Sequence, residues 1–311
     1  MSFALSVTPF LLLFGTVFGG CYINQPSEFI HPGLLHTDED FQFVRFWVEH
    51  GYEPYLSGWS TLQNNWHSRL SYTARASPIV YRGDDGVHPQ NYHDLMSDAH
   101  AAYLHALLWK ISGDDRWADI AVQILNACAV SLEALYGTAD RFLMAGFQGY
   151  QIANAGEILR RYPRWSKESF QNFTTMMLNV FYPMNKDFLV RHNDAHSPVH
   201  YWSNWDLGIM ASLIAIGVVA DRPDIYNFAV DYFYRGSGNG AINRTSWVTC
   251  QDGTAQDQES GRDQGHATLS IMLLTTFCQM AWAQKCDLFG YDDNRVLKGQ
   301  STRPSTTWVS M

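Results

Sequence analysis

Residues 258 to 266 read QESGRDQGH, and the apolar run ATLSIMLLTTF follows at once. Glu259, Arg262, Asp263 and His266 therefore crowd the start of a segment whose continuation belongs in a core. A helix starting near Ser260 places Arg262 and His266 four residues apart on one face. Glu259 or Ser260 would cap it, Asp263 would suit the first-turn dipole, and Glu259 would pair with Arg262. A guanidinium one turn from the imidazole disfavours its charged form, and a neutral histidine is a workable general base. A plain capping cluster with one ion pair accounts for the same residues.

The second constellation is RHNDAHSPVHYWSNWDLG, residues 191 to 208. His192, His196 and His200 recur every four residues, which on a helix is a metal-binding face. Pro198 interrupts that helix, and no glutamate accompanies the histidines as in zinc proteases. A cleft loop fits better, with Asn193 and Asn204 as amide donors and Tyr201, Trp202 and Trp205 as stacking faces. Asn204 also suits a plain cap on a helix beginning at Trp205. In MAGFQGYQIANAGE, Gln148, Gln151 and Asn154 lie at helical spacing in an apolar segment, so they need polar partners or a wet cleft. Asn91, His93, Asp98 and His100 form a weaker fourth group.

These groups must be positioned by helices. DLMSDAHAAYLHALLWKISGD runs into DRWADIAVQILNACAVSLEALYG, and NWDLGIMASLIAIGVVADRP into DIYNFAVDYFYRG. In each, an apolar helix ends at a short polar turn and Asp or Pro opens the next. Strand signals are confined to SPIVYRG and SWVTC. The expectation is an all-α chain of antiparallel hairpins that closes into an incomplete ring, an α/α toroid. Its inner helices should be apolar nearly all round. Two long loops, residues 72 to 90 and 234 to 261, are expected on the cleft face.

A net charge of −9 and the absence of a Lys/Arg run exclude the basic face of a nucleic-acid binder. Charged residues make up only 16% against 11 Trp and 16 Tyr, a balance that suits an aromatic-lined cleft as well as a large core. Residues 1 to 20 read as a secretory signal with an apolar centre from Phe10 to Phe18. A lipid-modified Cys21 and a short anchor are the alternatives. The domain is expected over 21 to 299, with a disordered tail over 300 to 311. Of the five cysteines, Cys128 and Cys278 fall in apolar helices and Cys278 could pair with Cys286. Sequons stand at Asn172 and Asn243.

The blocks GYEPYLSGW, YWSNWDLGIMASLIAIGV, GNGAIN, QESGRDQGHATL and DLFGYDDNR together resemble the alginate lyase superfamily of polysaccharide lyases, over residues 30 to 299. The resemblance implies an α/α toroid and a secreted enzyme, extracellular or periplasmic, that cleaves a uronic-acid polymer by β-elimination. It implies no metal or cofactor, an anionic polysaccharide as the partner, no nucleic acid, no membrane after signal cleavage, and a monomer. It assigns carboxylate neutralisation to Asn204, the base to His266, carboxylate binding or support of His266 to Arg262, and the acid to Tyr201. His192, Asn193, His200, Gln148, Trp205 and Glu259 are then candidate substrate-binding residues. The chain is shorter after DLFGYDDNR than such relatives, which leaves a non-catalytic sugar-binding relative open. A glycoside hydrolase on the same ring, using Asp206, Glu259 or Asp263, is the other alternative.

Overall fold

Local signals start and stop most helices. In the computed structural model, which describes residues 21 to 300, Thr37 and Asp40 form a reciprocal capping box at α1, Asp38–Glu49. After α2, Tyr55–Asn64, and strand β1, Ile79–Arg82, comes α3, Tyr92–Ser112. Gly113, at φ 74°, ends α3 in the left-handed region open to glycine, and Asp114 caps α4, Asp115–Ser131. Strand β2, Ala134–Gly137, leads into α5, Asp140–Leu159. Ser166 caps α6, Lys167–Met176, which passes through a π turn, Met177–Phe181, into α7, Tyr182–Arg191. The wider turn lies just ahead of Pro183, which has no amide hydrogen to donate. Then come α8, Ser203–Val219; α9, Pro223–Arg235; α10, Ile242–Thr245; and the strands β3, Ser246–Thr249, and β4, Ala255–Asp257. Finally α11 spans Gln264–Ala283 and α12 spans Tyr291–Gln300.

The expected ring forms. Helices α3, α5, α8 and α11 are its inner wall, and every residue of α8 except Trp205 is buried. The outer layer, α4, α6 to α7 and α9, is amphipathic. Glycines set the approach of α5 to α8: a Cβ on Gly146 would stand 2.8 Å from the backbone of Gly208. At the other end Arg160 Nη1 donates to Val219 O over 2.9 Å, so α5 and α8 run parallel. Ser203 Oγ lies 2.7 Å from Ser270 Oγ, and Asn154 Nδ2 approaches Met280 Sδ, which aligns α11 with both. Strands β1 and β2 pair in parallel, Ile79 with Ala134, just before α3 and α5. All four inner helices therefore begin at the same end of the ring.

The opposite end is closed by residues 21 to 37. Tyr22 O–H donates to Asp231 Oδ1 over 2.7 Å, and Leu35 N donates to Asn154 Oδ1 over 3.0 Å. His31 bridges Glu157 at 2.6 Å and Asp221 at 2.9 Å. Burial opposes its charge, but the Asp221 and Glu157 carboxylates outweigh that and raise its pKa. A disulfide joins Cys21 to Cys286, so Cys286 does not pair with Cys278, which is buried in the core as Cys128 is. Strand β2 replaces the end of what reads in sequence as one long helix, and β4 pairs antiparallel with β3. No helix among the described residues is long and apolar enough to cross a membrane. The signal segment 1 to 20 and the tail 301 to 311 lie outside the described residues.

Candidate active site

The mouth where the inner helices begin gathers most of the polar constellations. Helix α8 starts at Ser203, two residues earlier than a helix capped by Asn204 would, and Trp202 takes the N-cap position. Its first amides are satisfied from another segment: Ser203 N donates to Gln258 Oε1 over 2.9 Å and Asn204 N to Glu259 Oε1 over 3.3 Å. The side chain of Asn204 is thereby released from capping, and its Oδ1 is buried without a partner. Glu259 has no exposed surface, its other oxygen receives Arg262 Nη1 at 3.2 Å, and its own amide donates to Asp257 Oδ1. Arg262 lies over the indole of Trp202, 5.0 Å from the ring centre. The Glu259–Arg262 pair is as expected, but sealed Glu259 cannot touch a ligand and acts through Arg262 and the α8 terminus.

Helix α11 begins at Gln264, with Asp263 as its N-cap, so Arg262 precedes the helix rather than sharing a face with His266. Asp263 joins the two instead. Its carboxylate accepts the His266 amide over 2.9 Å and meets His266 Nδ1 at 2.6 Å, while Arg262 Nε lies 3.9 Å away. The His266 amide and ring hold this carboxyl below the usual range. A carboxylate only accepts, so Nδ1 carries the hydrogen, the tautomer that leaves a lone pair on Nε2 for taking up a proton. Asn204, Arg262 and His266 thus belong to one continuous chain of contacts.

The loop before α8 supplies the phenol. His192, Asn193 and Asp194 take positive φ of 48°, 53° and 56°, a run that Asn, Asp and His tolerate best. It aims Asn193 so that Nδ2 donates to Tyr201 Oη over 2.9 Å while Oδ1 accepts from Arg141 Nη2 over 3.3 Å. The Tyr201 ring packs on Phe188 and Trp205, and Asn239 Nδ2 donates to Tyr201 O over 2.7 Å. His192 turns inward, only 2% exposed, with Nε2 at 3.0 Å from Tyr232 Oη and 3.6 Å from Asp206. It is an internal brace and not a ligand contact. His196 and His200 remain exposed, so the three spaced histidines share no common point.

From the rim a cleft of about 380 Å³ runs between α3, α5 and α11. Gln148 and Gln151 line it, Gln148 with Oε1 buried and unpartnered. So do His67 and His100, whose ring centres are 4.6 Å apart. Burial, then His100 and Arg75, drive His67 down to about 4, and burial lowers His100. Leu269 and Leu273 form the α11 wall, on the helix face that His266 begins.

The alginate lyase family profile matches residues 54–299, well over half of the chain. The chain belongs to the alginate lyase family. As a member it is a polysaccharide lyase. Among solved structures it is similar to alginate lyase A1-III from Sphingomonas species A1, at 12% identity and a TM-score of 0.61, covering 90% of this chain and 77% of that one. A tyrosine variant of alginate lyase A1-III complexed with a tetrasaccharide gives 12% identity and 0.62, covering 90% and 76%. An alginate lyase from Bacteroides ovatus gives 12% and 0.60, covering 87% and 82%. At such identities the likeness is one of fold, the α/α toroid. No curated protein matches the chain.

Family membership leaves open which side chains act, and sequence reasoning passed over two of those at the mouth. Arg141 opens α5 and holds Asn193, a contact across 52 residues. His67 faces His100 from a short turn far from any motif. For His67, a histidine beside a tryptophan in NNWHS was the only available signal.

Proposed function

We propose that the chain cleaves a uronic-acid polymer, alginate or glucuronan, outside the cell by a β-elimination that requires no metal. One observation supports this most: Asn204, held through its backbone amide by Glu259 with its side chain not used in capping, lies in the same contact chain as a partly exposed guanidinium and an imidazole oriented by a carboxylate. The mouth is also where four inner helices begin, and helix N-termini favour anionic groups. The uronate carboxylate accepts hydrogen bonds from Asn204 Nδ2 and Arg262, which take up the charge that develops as the neighbouring C5 proton leaves. His266 Nε2 takes that proton. The electron pair forms the C4–C5 double bond, the C4–O bond to the next sugar breaks, and Tyr201 Oη protonates the departing oxygen. Because Asn193 donates to Oη, the hydroxyl hydrogen stays available. Gln148, Trp205, Asn193 and His200 serve substrate binding. Export is supported by the apolar run Phe10 to Phe18 and by the Cys21–Cys286 disulfide.

The test is absorbance of the unsaturated product in the near ultraviolet, with alginate and glucuronan as substrates. His266→Ala should lower its formation by at least about a hundredfold with the helical circular dichroism unchanged. An undiminished rate would remove His266 from the mechanism. Reducing ends without absorbance would mean a hydrolase, which needs two carboxyls flanking the bond. Asp206 and Glu259 are both fully buried and Asp263 is engaged by His266. Binding without turnover would mean a sugar-binding relative.

A further inference from the structure

A second, larger hollow lies on the other side of the catalytic groups. It has a volume of about 540 Å³, within the range of small-molecule sites, and sits between the β3–β4 hairpin, α10 and the loop before α8. Trp202 and Trp247 line it, with 39% and 53% of their surface exposed. Asn239, Gln256 and Gln258 add amides, and Arg244 brings an exposed guanidinium. Among the described residues, no carboxylate lines the hollow. Exposed indoles, amides and a guanidinium are the groups that stack on sugar rings and pair with their carboxylates.

Its walls are continuous with the active site. Trp202 carries Arg262 on its indole, Gln258 caps the first turn of α8, and Asn239 holds Tyr201. Along the chain, Ser260 and Gly261 border this hollow, Arg262 and His266 follow, and Leu269 borders the α3–α5–α11 cleft. The proposed reacting bond therefore lies between two open spaces. Resting on the lyase reading above, we propose that the hollow between Trp202 and Trp247 is a second saccharide subsite. It holds uronate residues of the same polymer on the far side of the bond to be cut, and so makes the enzyme cut within chains.

The experiment compares Trp247→Ala and Arg244→Gln with the unaltered protein on long uronan and on the shortest oligouronate that is cleaved. Both side chains are exposed, so both variants should fold, as circular dichroism will check. KM for the long polymer should rise about tenfold with kcat within about twofold, the signature of lost uniform binding, and KM for the shortest oligomer should not move. Binding is read separately from tryptophan fluorescence with oligouronates in the His266→Ala protein, where adding Arg244→Gln should weaken the titration by a similar factor. If unsaturated product forms but neither variant changes KM or binding, the subsite is refuted and the lyase reading stands. If no uronan gives that product yet oligouronate binding depends on Arg244 and Trp247, the uronan-cleavage reading fails while the hollow stands as a saccharide-binding site without a role in cutting. Absence of any oligouronate binding overturns the subsite.

Discussion

Asp257 and Glu259 are two buried carboxyls joined by the Glu259 amide, and Glu259 has the Arg262 guanidinium to answer its charge. Burial, reinforced by the charge of Glu259, pushes Asp257 up to about 7. The folded state therefore holds this proton more tightly than the unfolded chain. That contribution is fully present below the ordinary aspartate range near pH 4 and is lost as pH rises through 7. Asp257→Asn keeps an oxygen to accept the Glu259 amide and removes the ionisation. It should stabilise the protein at pH 8 by on the order of 1–3 kcal/mol, a gain that fades toward pH 4. Urea unfolding at the two pH values reads this directly, and a pH-independent difference would contradict it. The Glu259–Arg262 pair was legible in the sequence because its partners are three residues apart. The start of α11 was not. Ser260 and Asp263 are both good caps, and the choice falls to Asp263 because Glu259 and Gln258 are drawn away to cap α8, 55 residues back. His192 was misjudged for the same reason, since Tyr232 and Asp206, which hold it, lie far along the chain.

Inner helices were easy to recognise because burial on all sides leaves long unbroken apolar runs, as in α8. Their spacing was not, because it depends on which residues meet. At the α5–α8 contact a Cβ on Gly146 would meet backbone atoms of Gly208 and Ile209 at 2.8 and 2.9 Å, and backbone cannot yield cheaply. Gly146→Ala should therefore cost about 2–3 kcal/mol despite its better helix propensity. Gly58 in α2 has nothing within 4 Å of the same position, so Gly58→Ala should be neutral or stabilise by about 0.5–1 kcal/mol. Equal effects of the two substitutions on the urea midpoint would refute the close-packing account. Strand β2 was hidden by the same kind of context. ALYG continues a leucine-rich helical pattern, and only pairing with β1 draws it into a strand. The disulfide was equally invisible, since five cysteines leave the pairing open. It links Cys21 to Cys286 across 265 residues, tying the closing segment to the end of the inner wall. Loop-closure entropy of that size predicts a loss of about 2–5 kcal/mol on reduction or in Cys21→Ser, read as a fall in Tm with added reductant. An unchanged Tm would show that the hydrogen bonds of residues 22 to 35 suffice.

At the scale of the whole molecule, a chain of net charge −9 is proposed to take a polyanion. The two signs act over different distances. The acidic surplus belongs to the whole exterior and acts on an approaching polymer from afar, whereas Arg262, Arg244 and the inner-helix N-termini act within the mouth. Added salt removes the distant term first, because the Debye length falls from about 30 Å at 0.01 M to about 10 Å at 0.1 M and about 3 Å at 1 M. For a uronan, kcat/KM should thus rise between about 10 and 100 mM salt as the repulsion is screened, then fall toward about 1 M as the contacts of the mouth weaken. The rise should appear in the bimolecular constant and not in kcat, since it concerns encounter. Arg244→Gln should deepen the low-salt deficit by removing part of the local attraction. A steady fall from the lowest salt upward would mean that the mouth dominates at every distance and that the acidic exterior has no influence on capture.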